Sequence, residues 1–209
     1  MYTRRKAEEI ANSVTHGIGF MGAIALTTLL IVRAALHGNA WHITTYSIFG
    51  AGMILLYLAS TLYHSARNLR KKSALNVFDH SSIYFLIAAT YTPICLVGLK
   101  GGWGWTIFGV IWAMAIGGLV YKVWFYTVKW RSLSAWMYFV MACTILIAIV
   151  PMIQRMPNIS LWFILIGCIC YSVGLIFYLI KKIPFGHTIF HLLIIAGSLM
   201  HFFSFYYLL

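Results

Sequence analysis

Seven long apolar stretches, separated by short gaps that collect most of the charged residues, dominate the chain from end to end. A bilayer core takes about 20 apolar residues per helix. That ruler predicts spans near 16–36, 42–65, 79–99, 103–125, 133–151, 159–180 and 186–208. The longest gap, about 66–78, carries Arg67, Arg70, Lys71 and Lys72, while Pro151, Pro157 and Pro184 mark the later helix boundaries. No linker, low-complexity tract or repeat interrupts the pattern. The expectation is an all-α, polytopic membrane protein: one seven-helix transmembrane domain over residues 1–209.

Composition narrows the solvent. The 209 residues are 62% hydrophobic and 9% charged, against about a quarter charged in soluble domains. Lipid accommodates that apolar surface and forces the backbone into helices or closed barrels, and long unbroken runs select helices. Glu8 and Glu9 follow the basic start and no small-residue cleavage site appears, so the first stretch reads as a retained helix rather than a signal peptide. Cys95, Cys143, Cys168 and Cys170 all fall inside apolar runs, as small buried hydrophobes without a disulfide framework or metal knuckle.

The net charge of +12 reads as topology rather than nucleic-acid binding. Twelve of the fifteen Lys and Arg gather on one side: Arg4, Arg5 and Lys6, then Arg67, Arg70, Lys71 and Lys72, then Lys122, Lys129 and Arg131, then Lys181 and Lys182. Arg33, Lys100 and Arg155 fall on the other. Cytoplasmic loops hold the excess of such residues, which puts the amino terminus in the cytoplasm and, with seven crossings, the carboxyl terminus outside. That orientation is opposite to G-protein-coupled receptors. Basic loops also meet anionic headgroups, making membrane lipids the expected partners.

Polar residues at membrane depth carry the chemistry. Asp79 is the one acid beside a span after the first. It suits a helix cap, a catalytic carboxylate, or both. Ser60 and His64, like His187 and His191, are four residues apart, about 40° apart on one helical face. Either histidine pair alone fits headgroup or backbone bonding as well as a metal. Topology, however, places all five residues at one depth on the basic side. Three histidines around Zn²⁺ leave an open fourth position, the pattern of catalytic zinc, and zinc brings the pKa of bound water to about 7. Asp79 then holds or deprotonates that water, and Ser60 donates to a developing oxyanion. The constellation suits amide or ester hydrolysis.

The remaining polar positions receive other readings. Glu9, Asn12 and His16 share a face that lines the cytoplasmic mouth or forms a polar interfacial strip, the second being favoured. His201 lies about 15 Å along its helix from His191, too far to join that site. His80 points about 100° from Asp79, and His37 and His42 belong to the opposite side, so none of them is assigned to metal. Trp103, Trp105, Trp130 and Trp162 fit an interfacial belt, and Gly117 and Gly118 permit close helix contact.

The segments EEIANSVTHGIG, STLYHSARN, ALNVFDHSSIYFLIAATYTP and GHTIFHLLIIAGSLMHF, in order and spread over nearly the whole chain, resemble the bacterial haemolysin III proteins of the progestin and adipoQ receptor family. The resemblance implies seven helices, a cytoplasmic amino terminus and a zinc ion near the cytoplasmic face. It matches His64, His187 and His191 to the zinc ligands, Asp79 to the aspartate holding the zinc-bound water, and Ser60 to the serine one turn before the first ligand. A grouping with alkaline ceramidases implies lipid amide hydrolysis at the cell membrane. The chain lacks the long amino-terminal region of the eukaryotic receptors, which argues against hormone sensing. A different class also fits: a cytolytic or regulatory membrane protein with structural zinc and no hydrolysis. A transporter ranks third, because one intramembrane acid offers it little coupling chemistry.

Overall fold

The computed structural model describes residues 2–125, 131–180 and 182–209. Lys129, Trp130 and Lys181 lie outside the described residues, as do the side chains of Arg4 and Arg131. Among the described residues every regular element is a helix. They are α1 (Tyr2–His37), α2 (Ala40–Ser65), α3 (Leu69–Pro93), α4 (Gly101–Val120), α5 (Arg131–Cys143), α6 (Ile149–Arg155), α7 (Asn158–Leu179) and α8 (Gly186–Leu208). A 3₁₀ turn, Thr144–Ala148, joins α5 and α6 into one rod, and seven helical rods are long and apolar enough to cross a membrane.

Burial is inverted relative to a soluble protein. Ile18, Leu36, Trp124, Ile147 and Trp162 are exposed, while Asn12, His16, Asp79, Lys122, His191 and His201 are buried. Water penalises both halves of that arrangement, whereas lipid solvates the apolar exterior and leaves the polar groups to satisfy one another inside. The chain is a multi-pass membrane protein. Trp103, Trp105 and Trp162 are exposed near helix starts at the end opposite the amino terminus, as a belt requires.

The helices outrun the apolar ruler, which measures hydrocarbon thickness rather than helix length. The first begins at Tyr2, not near 16. The third begins at Leu69, ten residues before Asp79, where the Asn68 side chain accepts from Arg70 N at 3.0 Å and Lys71 N at 3.2 Å. The basic segment expected as a gap is therefore mostly helix, and Asp79 caps nothing. The fifth rod continues past Pro151 to Arg155. Proline lacks the N–H that the carbonyl of Ile147 would accept, and the rod passes through a 3₁₀ turn just before it instead of ending.

Pro93 acts similarly in α3, which passes into a π-helical turn, Ile94–Leu99, closed by Lys100 N to Cys95 O at 2.9 Å. Lys100 and Gly101 then adopt positive φ, 53° and 57°, which lets α4 start at once. Two of the basic residues at this end satisfy backbone carbonyls. Arg155 Nη1 donates to Leu99 O at 2.6 Å and Arg33 Nε to Tyr206 O at 3.2 Å.

α1 packs between α2 and α8, α3 packs on α2 and α4, and α7 packs on α8. Gly118 lets α4 rest directly on the Tyr84 ring, and a Cβ there would overlap that ring, whereas Gly117 faces open space. Only one of the two glycines thus makes the expected close contact. Gly118→Ala should destabilise the protein by about 1–3 kcal/mol. Gly117→Ala should be neutral or slightly stabilising, and thermal unfolding in detergent separates the two.

Candidate metal centre

Seven crossings return α2, α3 and α8 to the end of the bundle that carries the amino terminus. His64, in the last turn of α2, and His187 and His191, in the first two turns of α8, meet there. His187 Nε2 lies 3.3 Å from His64 Nε2 and 3.1 Å from His191 Nε2, and one ligand atom from each ring falls within 4.8 Å of the others. A tetrahedral zinc with bonds near 2.0–2.1 Å separates its nitrogen donors by about 3.3 Å. Two of the three nitrogen pairs stand at that spacing, so the three rings could hold one ion.

Proton bookkeeping points the same way. His64 Nδ1 lies 3.2 Å from Glu9 Oε2, and His191 Nδ1 lies 3.3 Å from the Asn12 carbonyl. Both partners accept only, so each Nδ1 carries the proton and each Nε2 presents a lone pair. A single N–H on His187 Nε2 satisfies one of those lone pairs and not both. A cation among the three nitrogens satisfies all of them, and outward Nδ1–H bonds to carboxylate or carbonyl are how metal-binding histidines are usually held.

α1 supplies those outer partners, and this overturns the reading of Glu9, Asn12 and His16 as an interfacial strip. Glu9 Oε2 also accepts from Lys72 Nζ at 2.5 Å, tying α1 to α3. Asn12 Oδ1 accepts from Thr188 Oγ1 at 2.6 Å. His16 stacks on His191, 3.6 Å between ring centroids and 8° from parallel. Glu8 Oε1 accepts from Phe185 N at 2.8 Å, and Phe185, at φ 54°, turns the chain into α8 two residues before His187. The signal was legible as the i, i+3, i+7 face of α1, but the spacing does not say which neighbours that face touches.

Ser60 and Asp79 are buried and line one cavity with His187 and His191. His80, in the same wall, has Nδ1 2.9 Å from Asn76 O and 3.7 Å from Asp79 Oδ2, and Nε2 3.3 Å from the Tyr178 hydroxyl. Tyr138 donates to the His80 carbonyl at 2.8 Å. His80 is therefore a neighbour of Asp79 in the cavity wall, despite their separation of about 100° around the helix. The cavity, about 140 Å³, continues between Leu86, Ile87, Ile94, Ile145, Ile164 and Ile194 to His201. His201 is remote from the three nitrogens but belongs to the far part of the same cavity. An apolar cavity that reaches His187, His191, Asp79 and Ser60, with His64 outside its lining, is suited to a molecule with a hydrocarbon tail and a polar head.

The family model described as haemolysin-III related matches residues 4–202. The chain is 45% identical over 196 residues to "Hemolysin-3 homolog" from Bacillus subtilis (strain 168), covering 94% of this chain and 92% of that protein. It is 42% identical to "Hemolysin-3" from Bacillus cereus, covering 94% and 89%. Human "Monocyte to macrophage differentiation factor" is 29% identical over 205 residues, covering 94% and 82%.

Glu9→Gln keeps the shape but removes the charge that orients His64. Divalent-metal affinity should fall about 10–100-fold, measured by chelator competition on the purified protein, while Glu9→Asp should lose less.

Proposed function

Because this chain belongs to the haemolysin-III-related family, and because three imidazole nitrogens converge and two of those histidines share an apolar cavity with a buried acid, we propose that it is a zinc-dependent hydrolase of a lipid amide or ester. The convergence of the three Nε2 atoms carries the reading. His64, His187 and His191 hold the metal. When bound, zinc supplies a Lewis acid and a water acidic enough to attack a carbonyl at neutral pH.

The other residues act on protons and charge. Asp79 accepts the proton of the attacking water as the new C–O bond forms, then returns it to the leaving amine or alcohol as the scissile bond breaks. The Ser60 hydroxyl donates a hydrogen bond to the carbonyl oxygen as negative charge builds there. The apolar cavity takes the hydrocarbon tail and excludes bulk water. The excess of Lys and Arg around this end, by the positive-inside rule, supports a cytoplasmic position for the site.

The names of the two Bacillus relatives favour a second reading, membrane lysis, in which any zinc would be structural. The two readings separate at Asp79. His191→Ala should lose both the metal and hydrolysis of candidate lipids in detergent. Asp79→Ala should keep the metal, by elemental analysis, and lower turnover by about 100-fold or more. Turnover that survives metal loss in His191→Ala overturns the hydrolase. Liposome leakage unchanged in Asp79→Ala, with no lipid cleaved by the native protein, establishes the lytic reading instead.

A further inference from the structure

Lys122 was counted above among the loop charges that fix topology, and the structure places it elsewhere. Lysines near the ends of membrane helices usually extend along the helix to put their ammonium in the interface. Lys122 is 1% exposed, among the largest fully enclosed side chains of the protein. It sits in a π-helical turn, Tyr121–Phe125, that continues α4 and packs against α3. Such turns are rare and gather at functional sites. One α-helical turn earlier, Gly118 abuts Tyr84 of α3, and this close approach brings the lysine in.

A buried ammonium needs a counter-charge, since removing either partner of a buried ion pair leaves a costly uncompensated charge. The chain has three acids. Glu8 and Glu9 are on α1, directed at the backbone of Phe185 and at Lys72 and His64. Asp79 is on α3, the helix that the π-helical turn packs against; α3 and α4 run antiparallel and touch where Gly118 meets Tyr84, so Lys122, one turn beyond Gly118, falls beside the turn of α3 that carries Asp79. We propose that Lys122 is a positioning residue for Asp79: its ammonium balances the carboxylate and fixes the carboxylate's orientation in the cavity wall. Ser60 from α2, His80 from α3 and Tyr138 from α5 complete the surroundings. The pairing stands on placement and charge alone, and its use in proton transfer rests on the hydrolase reading.

A stability cycle on the full-length protein in detergent tests the pair without any substrate. Lys122→Met and Asp79→Asn should each lower the unfolding temperature by about 6 °C or more, and the double variant should lose clearly less than the two losses combined. Metal content should hold in all four forms. Losses that add to within about 1 °C overturn the pairing. If a single variant fails to fold, recovery of the double variant supports the pair and its continued failure refutes it, with Lys122→Arg expected to fold. With a cleavable lipid in hand, Lys122→Met should reduce kcat at least tenfold at unchanged KM, and Lys122→Arg should restore part of it. If the native protein cleaves no lipid, the hydrolase reading fails while the cycle still decides the pair.

Discussion

A bundle solvated by hydrocarbon leaves its polar side chains no partner but each other, and here that constraint gathers them at one end. His64 and His191 turn their Nε2 atoms toward His187 Nε2 because Glu9 and the Asn12 carbonyl hold their opposite nitrogens. Each partner comes from α1, which carries the amino terminus and packs on both ligand-bearing helices. Unpaired, each of these groups would cost several kcal/mol in the membrane. Together they define a cluster of nitrogen donors that could hold a metal ion.

The cavity follows from the same packing. Gly118 brings α4 against Tyr84, and Gly197 gives Tyr171 of α7 room against α8. Tyr57 and Tyr171 meet at the Ser198 hydroxyl, at 2.8 and 3.0 Å, so α2, α7 and α8 are fastened through one polar node beside an otherwise apolar space. Hydrogen bonds of this kind contribute modestly to membrane-protein stability, about 0.6 kcal/mol on average. Their larger effect is to fix helix rotation, and rotation decides which side chains face the cavity. His201, one turn further along α8 than the Ser198 node, is placed by that rotation.

Much of the architecture was legible because lipid simplifies the code. Apolar run length counted the seven spans, and the alternating Lys and Arg bias identified which gaps share a side. Topology alone then brought Ser60, His64, Asp79, His187 and His191 to one depth. Residues whose role depends on lateral neighbours were harder to read. Lys122 looked like a loop charge because its hydropathy is that of any lysine, and burial depends on Gly118 and the π-helical turn beside it. Asp79 looked like a cap because the ruler began its helix there, whereas Asn68 starts the helix ten residues earlier.

The sequence by itself determined the class of solvent, the number of crossings and the depth of each polar residue, because apolar length and charge bias act one segment at a time. Tertiary structure decided which nitrogens of His64 and His191 point inward, that α1 clamps the site, and that a lysine of the fourth rod is buried against α3. Those outcomes depend on helix rotation and lateral contact, which are set by interdigitating side chains from segments far apart in the chain. No periodicity within a single segment encodes them.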